Sequence, residues 1–223
     1  MQRFTHVAHR ILLGAWLVGQ APAFAQDLEP RRWTHLPVGM NVVGVAYAYT
    51  DGDLAFDPLL ELEDVEVKSH TTLATYARAV DFFGKTGRID VILPYRKSRW
   101  QGLLSGAPAE AMREGFADPW IRLSVNLLGA PALEGKEYLD YRAAHSTNTV
   151  VGAALAVMLP LGEYKDDKLL NLGQNRFIFR PQAGVVHTRG QWSYELTGSV
   201  FFFTENDDFF GGNERKQDPL FAS

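Results

Sequence analysis

The chain has 223 residues, no cysteine, a formal net charge of −4 and a pI near 5.9. The missing cysteines exclude thiol catalysis, thiolate metal sites and a disulfide framework, and the acidic balance, with no lysine–arginine cluster to oppose it, argues against a nucleic-acid partner. A mean hydropathy of −0.13 excludes a polytopic helical membrane protein but not a β-barrel, whose half-polar strands escape hydropathy scales.

In chain order, residues 1–25 read as a signal peptide: Arg3, His9 and Arg10 give a positive start, Ile11 to Gly19 an apolar run, and Ala23-Phe24-Ala25 a small-residue cleavage pattern before Gln26. The run falls short of the roughly 18 apolar residues that span a bilayer as a helix. Export and a mature domain over 26–223 are therefore expected. From there apolar residues recur at period two, the strand signal. Segment 41–50 sets Val43, Val45, Tyr47 and Tyr49 against Gly44, Ala46 and Ala48; in 88–96, Ile89, Val91, Leu93 and Tyr95 oppose Arg88, Asp90 and Arg96. Segment 121–127 sets Ile121 and Leu123 against Arg122 and Ser124; in 149–159, Val151, Leu155, Val157 and Leu159 oppose Gly152, Ala154 and Ala156. Phe177 and Phe179 oppose Arg176 and Arg180, and Trp192, Tyr194, Leu196, Val200 and Phe202 oppose Gln191, Ser193, Glu195, Thr197 and Ser199. This predicts about seven strands, most of about 9 to 15 residues, where soluble strands average about five or six and membrane-crossing ones need about 9 to 11. Pro94 and Pro181 fall inside strands, where each deletes a ladder hydrogen bond, so a bulge is expected at both.

The same alternation suits a soluble sandwich, with its apolar face on a core, or an outer-membrane barrel, with its apolar face in lipid. Strand length, arginines deep within strands, and aromatics near strand ends (Tyr47, Tyr49, Tyr95, Trp100, Trp120, Trp192, Tyr194) favour the barrel. The expected fold class is all-β, an antiparallel transmembrane β-barrel with about seven to eight strands present. Connections 83–87 and 188–190 are short; 51–64, 99–117, 161–173 and 205–217 are long, and would fall outside the cell while the short ones face the periplasm. Connection 129–146 is a misfit, long where a short turn is due.

Four segments, Asp118-Pro119-Trp120 and onward to Leu133, Leu159-Pro160-Leu161-Gly162-Glu163-Tyr164, Leu169 to Arg176, and Asn206-Asp207-Asp208-Phe209-Phe210-Gly211-Gly212, resemble the proteobacterial family named for the MetA pathway of phenol degradation, over essentially the whole mature chain. The resemblance implies a porin-like, transporter-type barrel in the Gram-negative outer membrane. Its surroundings would be outer-membrane lipid and lipopolysaccharide, and the barrel-assembly machinery its folding partner. Members of that family run into further strands past the position matching 217–220, so the resemblance implies that this chain is incomplete at its C-terminus.

No catalytic constellation emerges, and no enzyme activity, cofactor or metal is expected. His35, His70, His145 and His187 lack ligand spacing, and His145 beside Ser146 cannot share a strand face. Glu205, Asp207 and Asp208 read as a solvated loop, and Asp51-Gly52-Asp53 as turn chemistry. The polar face carries the functional candidates: Arg78, Arg88, Asp90, Arg122, Arg176, Arg180 and Glu195 are expected to line a lumen, with Arg180 and Glu195 within reach of each other across adjacent strands. The expected function is an outer-membrane channel for passive uptake of small solutes, aromatic ones among them. A non-transporting structural or adhesion barrel stiffened by an interior ionic ladder, and a soluble exported β-sandwich, are the alternatives.

Overall fold

Alternation at period two, carried through nearly every segment, yields one curled antiparallel sheet. A computed structural model describes residues 32–54 and 62–222; the expected signal peptide lies outside the described residues. The strands are β1 (Asn41–Leu54), β2 (Leu62–Phe82), β3 (Lys85–Leu104), β4 (Ala107–Phe116), β5 (Trp120–Leu128), β6 (Thr147–Met158), β7 (Ile178–Arg189), β8 (Trp192–Phe203), β9 (Asn206–Phe209), β10 (Asn213–Arg215) and β11 (Leu220–Ala222). One helix, α1 (Gly135–Ala144), fills the misfit connection between β5 and β6. The sheet runs β1-β2-β3-β5-β6-β7-β8-β11, with β4 pairing β3 and β9 pairing β10 apart. Among the described residues β1 and β11 do not pair with each other, so the wall is a partial barrel with two edges.

The expected 99–117 loop is instead a tall hairpin. β3 pairs with β4 from Tyr95 to Leu104 and with β5 from Gly87 to Ile92, so β4 and β5 form one interrupted stave. Alternation alone could not reveal it, because small and charged residues (Ala109, Glu110, Ala111, Glu114) replace large apolar ones. The two prolines also depart from expectation. At Pro94 the β2 register runs on unshifted, and the Pro94 carbonyl accepts the Ala117 N–H where β4 gives way to β5, so the missing donor falls at the break. At Pro181 the β7–β8 ladder skips two pairs but keeps register, Phe179 opposite Phe202 and Gln182 opposite Ser199, without a bulge.

The wall is uneven in height. β2 and β3 have 21 and 20 residues against 12 each in β6, β7 and β8, roughly 65 Å against 40 Å at about 3.3 Å per residue. Outward positions in the lower wall are apolar: Val43, Val45, Tyr47, Ile89, Val91, Leu93, Leu123, Leu155, Phe179 and Leu196 all lie exposed. Higher up, beyond Tyr49 and Tyr95, the outer face turns charged, with Lys68–Glu66, Lys97–Glu114 and Arg99–Glu110 pairs. Trp100 and Trp120 are not part of the outer aromatic set. Both share the face of Asp90 and Arg122, and Trp100 is buried with Val65, Ala117 and Leu172.

Candidate functional site: the inner face

Side chains that alternate inward from β3 and β5 bring a buried charge cluster together. Asp90 lies opposite Arg122 in register, and its carboxylate accepts from Arg122 Nε at 2.9 Å and pairs with Arg88 Nε at 3.0 Å. Two guanidiniums thus converge on one carboxylate, and charge set in a wall of low dielectric is costly unless water or partners of opposite charge are close. Higher on the same face, Arg96 Nε donates to Thr71 Oγ1 at 3.3 Å. Arg180 Nε donates to Ser199 Oγ at 3.1 Å with its guanidinium 4.5 Å above the Phe201 ring. Arg176 lies over Phe203 at 4.6 Å and donates to the side-chain carbonyls of Gln174 and Gln217; burial, with Arg215 nearby, lowers its pKa to about 10.

Of the seven expected lining residues, the structure therefore sets Arg88, Asp90, Arg122, Arg176 and Arg180 on the inner side, and Glu195 beside them on the inward face of β8. Arg78 is a correction. It pairs with Asn41 and Ile89, lies exposed on the outer face, and sits a few residues from the end of β2, where an arginine reaches beyond the apolar belt. The expected Arg180–Glu195 contact is a second correction: Glu195 opposes Val186, whereas Arg180 sits beside Phe201, six residues along. A period-two reading fixes the face but not the register, and the pair failed on register.

The largest inner feature escaped the sequence reading. Residues 32–40 run up inside the curl from the foot of β1, as a strap. Trp33 is fully buried, and its Nε1–H donates to Thr197 Oγ1 at 2.8 Å. Its ring lies on Gly152 and Gly184, which face each other in register, so that any side chain at either position would overlap the indole. Arg32 donates to Gln182, and Asn126 Nδ2 donates to the Trp33 carbonyl at 3.4 Å. Below, His35 Nε2 donates to the Pro131 carbonyl at 2.8 Å, and the His35 carbonyl accepts Tyr138 O–H at 3.0 Å. Tyr138 and Tyr141 pack T-shaped against the His35 ring, which explains the misfit connection: α1 holds the strap. Burial holds the His35 pKa below its ordinary value, opposed by the Pro131 contact and aided by Arg142. The signal for this was present, as a tryptophan just ahead of the first strand and a run of Gly152, Ala154 and Ala156 on a face with no reason to be small.

At the opposite end the inner face is apolar. A cavity of about 320 Å³ lies between Val65, Trp100, Leu104 and Ala111 of the tall hairpins and Leu169 and Leu170 of the β6–β7 connection. That connection is pinned by Asp118, whose carboxylate accepts the N–H groups of Gly162 at 2.8 Å and Gln174 at 2.6 Å. Burial raises the Asp118 pKa, while these donors and Arg96 pull against it. Asn206 joins the knot through Tyr164 and the Gln174 carbonyl.

Residues 44–223 match the family described as "Putative MetA-pathway of phenol degradation". The chain belongs to that family. The family segments that are scattered in sequence meet in this knot around Asp118 and Asn206, so the family pattern here is the signature of one loop architecture. A crystal structure of an outer membrane channel from Pseudomonas putida F1 shares the fold, with a TM-score of 0.62 and 22% identity over 87% of this chain and 68% of that one. No curated protein matches the sequence.

Proposed function

We propose that this protein is an outer-membrane channel for passive movement of small solutes, with anions favoured over cations. The observation that carries the reading is the set of charged side chains, Arg88, Asp90, Arg122 and Arg180, on the inner face of a wall whose lower outer face is apolar: charge there needs a wet interior, and apolar side chains outside need lipid. The likeness to a known outer membrane channel supports it. In this reading the short-turn end, with the strap and α1, faces the periplasm, and the tall hairpins face outward, where their charged outer belt meets phosphorylated lipid headgroups and lipopolysaccharide. Export through an N-terminal signal and assembly by the barrel machinery complete the proposal. The apolar cavity under the hairpins suits entry of aromatic solutes.

A second reading has its own observation. The strap fills the curl and buries Trp33 completely, as a stiffening plug would. Planar-bilayer recordings separate the two. A channel shows conductance with a reversal potential favouring anions, and Asp90→Asn, which removes the carboxylate between Arg88 and Arg122, increases that preference. Absence of conductance in the intact protein, with conductance appearing only once the strap is deleted, would leave the plug reading in its place.

A further inference from the structure

The outward positions of β6, β7 and β8 are apolar, small or hydroxylated apart from His187 and Arg189, and no carboxylate is among them. Elsewhere on the outer face cations come with acids: Lys68 pairs with Glu66, Lys97 with Glu114 and Arg99 with Glu110. Arg189 does not. It is exposed, and among the described residues its guanidinium has no carboxylate at ion-pair distance.

What surrounds Arg189 is a set of donors. Two cross-strand rows run in register over the three strands at the short-turn end, Thr147–Arg189–Trp192 and Thr149–His187–Tyr194. Thr149 O–H donates to His187 Nδ1 at 2.8 Å, which puts the ring proton on Nε2. The guanidinium, the His187 Nε2–H, the Thr147 hydroxyl, the Trp192 indole N–H and the Tyr194 phenol can each give a hydrogen bond, and no side chain in the rows is an acceptor only. The next row, Val151–Val185–Leu196, is wholly apolar. β7 has 12 residues, about the length that crosses a bilayer, so the donors stand at one boundary of the lipid-facing band, where tryptophan and tyrosine collect.

We infer that these two rows bind an anionic glycerophospholipid of the periplasmic leaflet, its phosphodiester held by Arg189 and His187 and its acyl chains lying on Val151, Val185 and Leu196. The inference rests on the membrane reading above, with the short turns in the periplasm. Arg189 supplies a planar fork that takes two phosphate oxygens at once. His187 is two residues along the same face, about 7 Å away at roughly 3.3 Å per residue, a span that one phosphate and a bent arginine side chain close. The preference for an anionic headgroup follows from the missing acid: Arg189 repels the ammonium of a zwitterionic lipid, and no carboxylate in the rows offsets that.

The test is native mass spectrometry of the intact protein in an uncharged detergent, offered equal amounts of dioleoyl phosphatidylglycerol and dioleoyl phosphatidylethanolamine. Retained phosphatidylglycerol should exceed phosphatidylethanolamine about fivefold, the share of one arginine near an anionic surface. Arg189→Gln should abolish the preference, and Arg189→Lys, which keeps the charge but not the fork, should retain part of it. Arg78→Gln removes another exposed outer-face arginine near the same end and should leave the preference intact. Equal retention of the two lipids by the native protein, an unchanged preference in Arg189→Gln, or an equal loss in Arg78→Gln would overturn the inference. So would a preference for lipid A over phosphatidylglycerol, which would put this end in the outer leaflet. Conductance is a separate readout. A protein that conducts without the lipid preference loses this site alone, and one that keeps the preference without conducting loses the channel reading alone.

Discussion

At the short-turn end the inner face of β6 and β7 is stripped to Gly152 and Gly184 so that Trp33 of the strap can lie on it, whereas at the long-connection end β2, β3 and β4 keep Val65, Trp100 and Ala111 and are covered by the chain's own 159–177 connection. Both ends bury a tryptophan, but on different terms. Trp33 belongs to a segment outside the strand ladder, held by side-chain contacts and hydrogen bonds, and it can leave without unpairing a strand; Trp100 is part of a strand and cannot. The difference separates a removable insert from a fixed wall.

The largest effect should come from breaking the insert. Gly152→Leu drives a branched side chain into the Trp33 indole, and expulsion of the strap is expected, read as new protease cleavage within 32–40 and a severalfold rise in single-channel conductance. Trp33→Ala should act the same way, since truncating a buried tryptophan costs about 3–5 kcal/mol. Trp100→Ala is the counterpart, with a comparable loss in thermal unfolding but no rise in conductance. A conductance jump in Trp100→Ala would erase the distinction between the two ends.

Next in size is Asp118→Ala. It removes two charge-assisted hydrogen bonds from a buried carboxylate and frees the β6–β7 connection, for an expected loss of about 2–4 kcal/mol, with faster amide exchange at Gly162 and Gln174. The strap should stay protected in this variant, which checks that the two ends are independent.

The smallest effect is that of pH on the strap. His35 is held neutral by burial, with Arg142 of α1 as the charged group facing it, Tyr138 and Tyr141 edge-on, and the Pro131 carbonyl on Nε2. Because its folded pKa is lowered, the unfolded strap binds the proton more readily. Strap docking is therefore fully stable above about pH 6.5, the ordinary histidine value, and weakens as pH falls below it. Protease protection of 32–40 should decline on mild acidification in the native protein and stay flat in His35→Gln.

Much of the wall was legible beforehand, because its two faces carry opposite chemistry on successive residues: Ile89, Val91 and Leu93 against Arg88 and Asp90 fixed which way each side chain points. What alternation does not carry is register and partner, which is why the Arg180–Glu195 pair failed and why the β4 hairpin, poor in large apolar residues, passed for a loop. Arg78 obeyed the periodicity of β2 but not the rule that charge points inward, which relaxes near a strand end. The strap left only an indirect mark, through the glycines that make room for it. Asp118 was quoted as part of a family segment, yet its partners lie 44 and 56 residues away, beyond what a local pattern reports.

The position of the strap also constrains the history of the molecule. Residues 32–40 come before every strand that surrounds them, so a segment made ahead of the wall ends up inside it, and the sheet is wound on it as cloth is wound on a mandrel. In a wall whose β1 and β11 edges were closed off, a tryptophan that had not already found Gly152 and Gly184 would have to enter lengthwise past the arginines of the inner face. Seating of Trp33 is thus a step for the open sheet, and a wall that closes too early shuts its own core residue out.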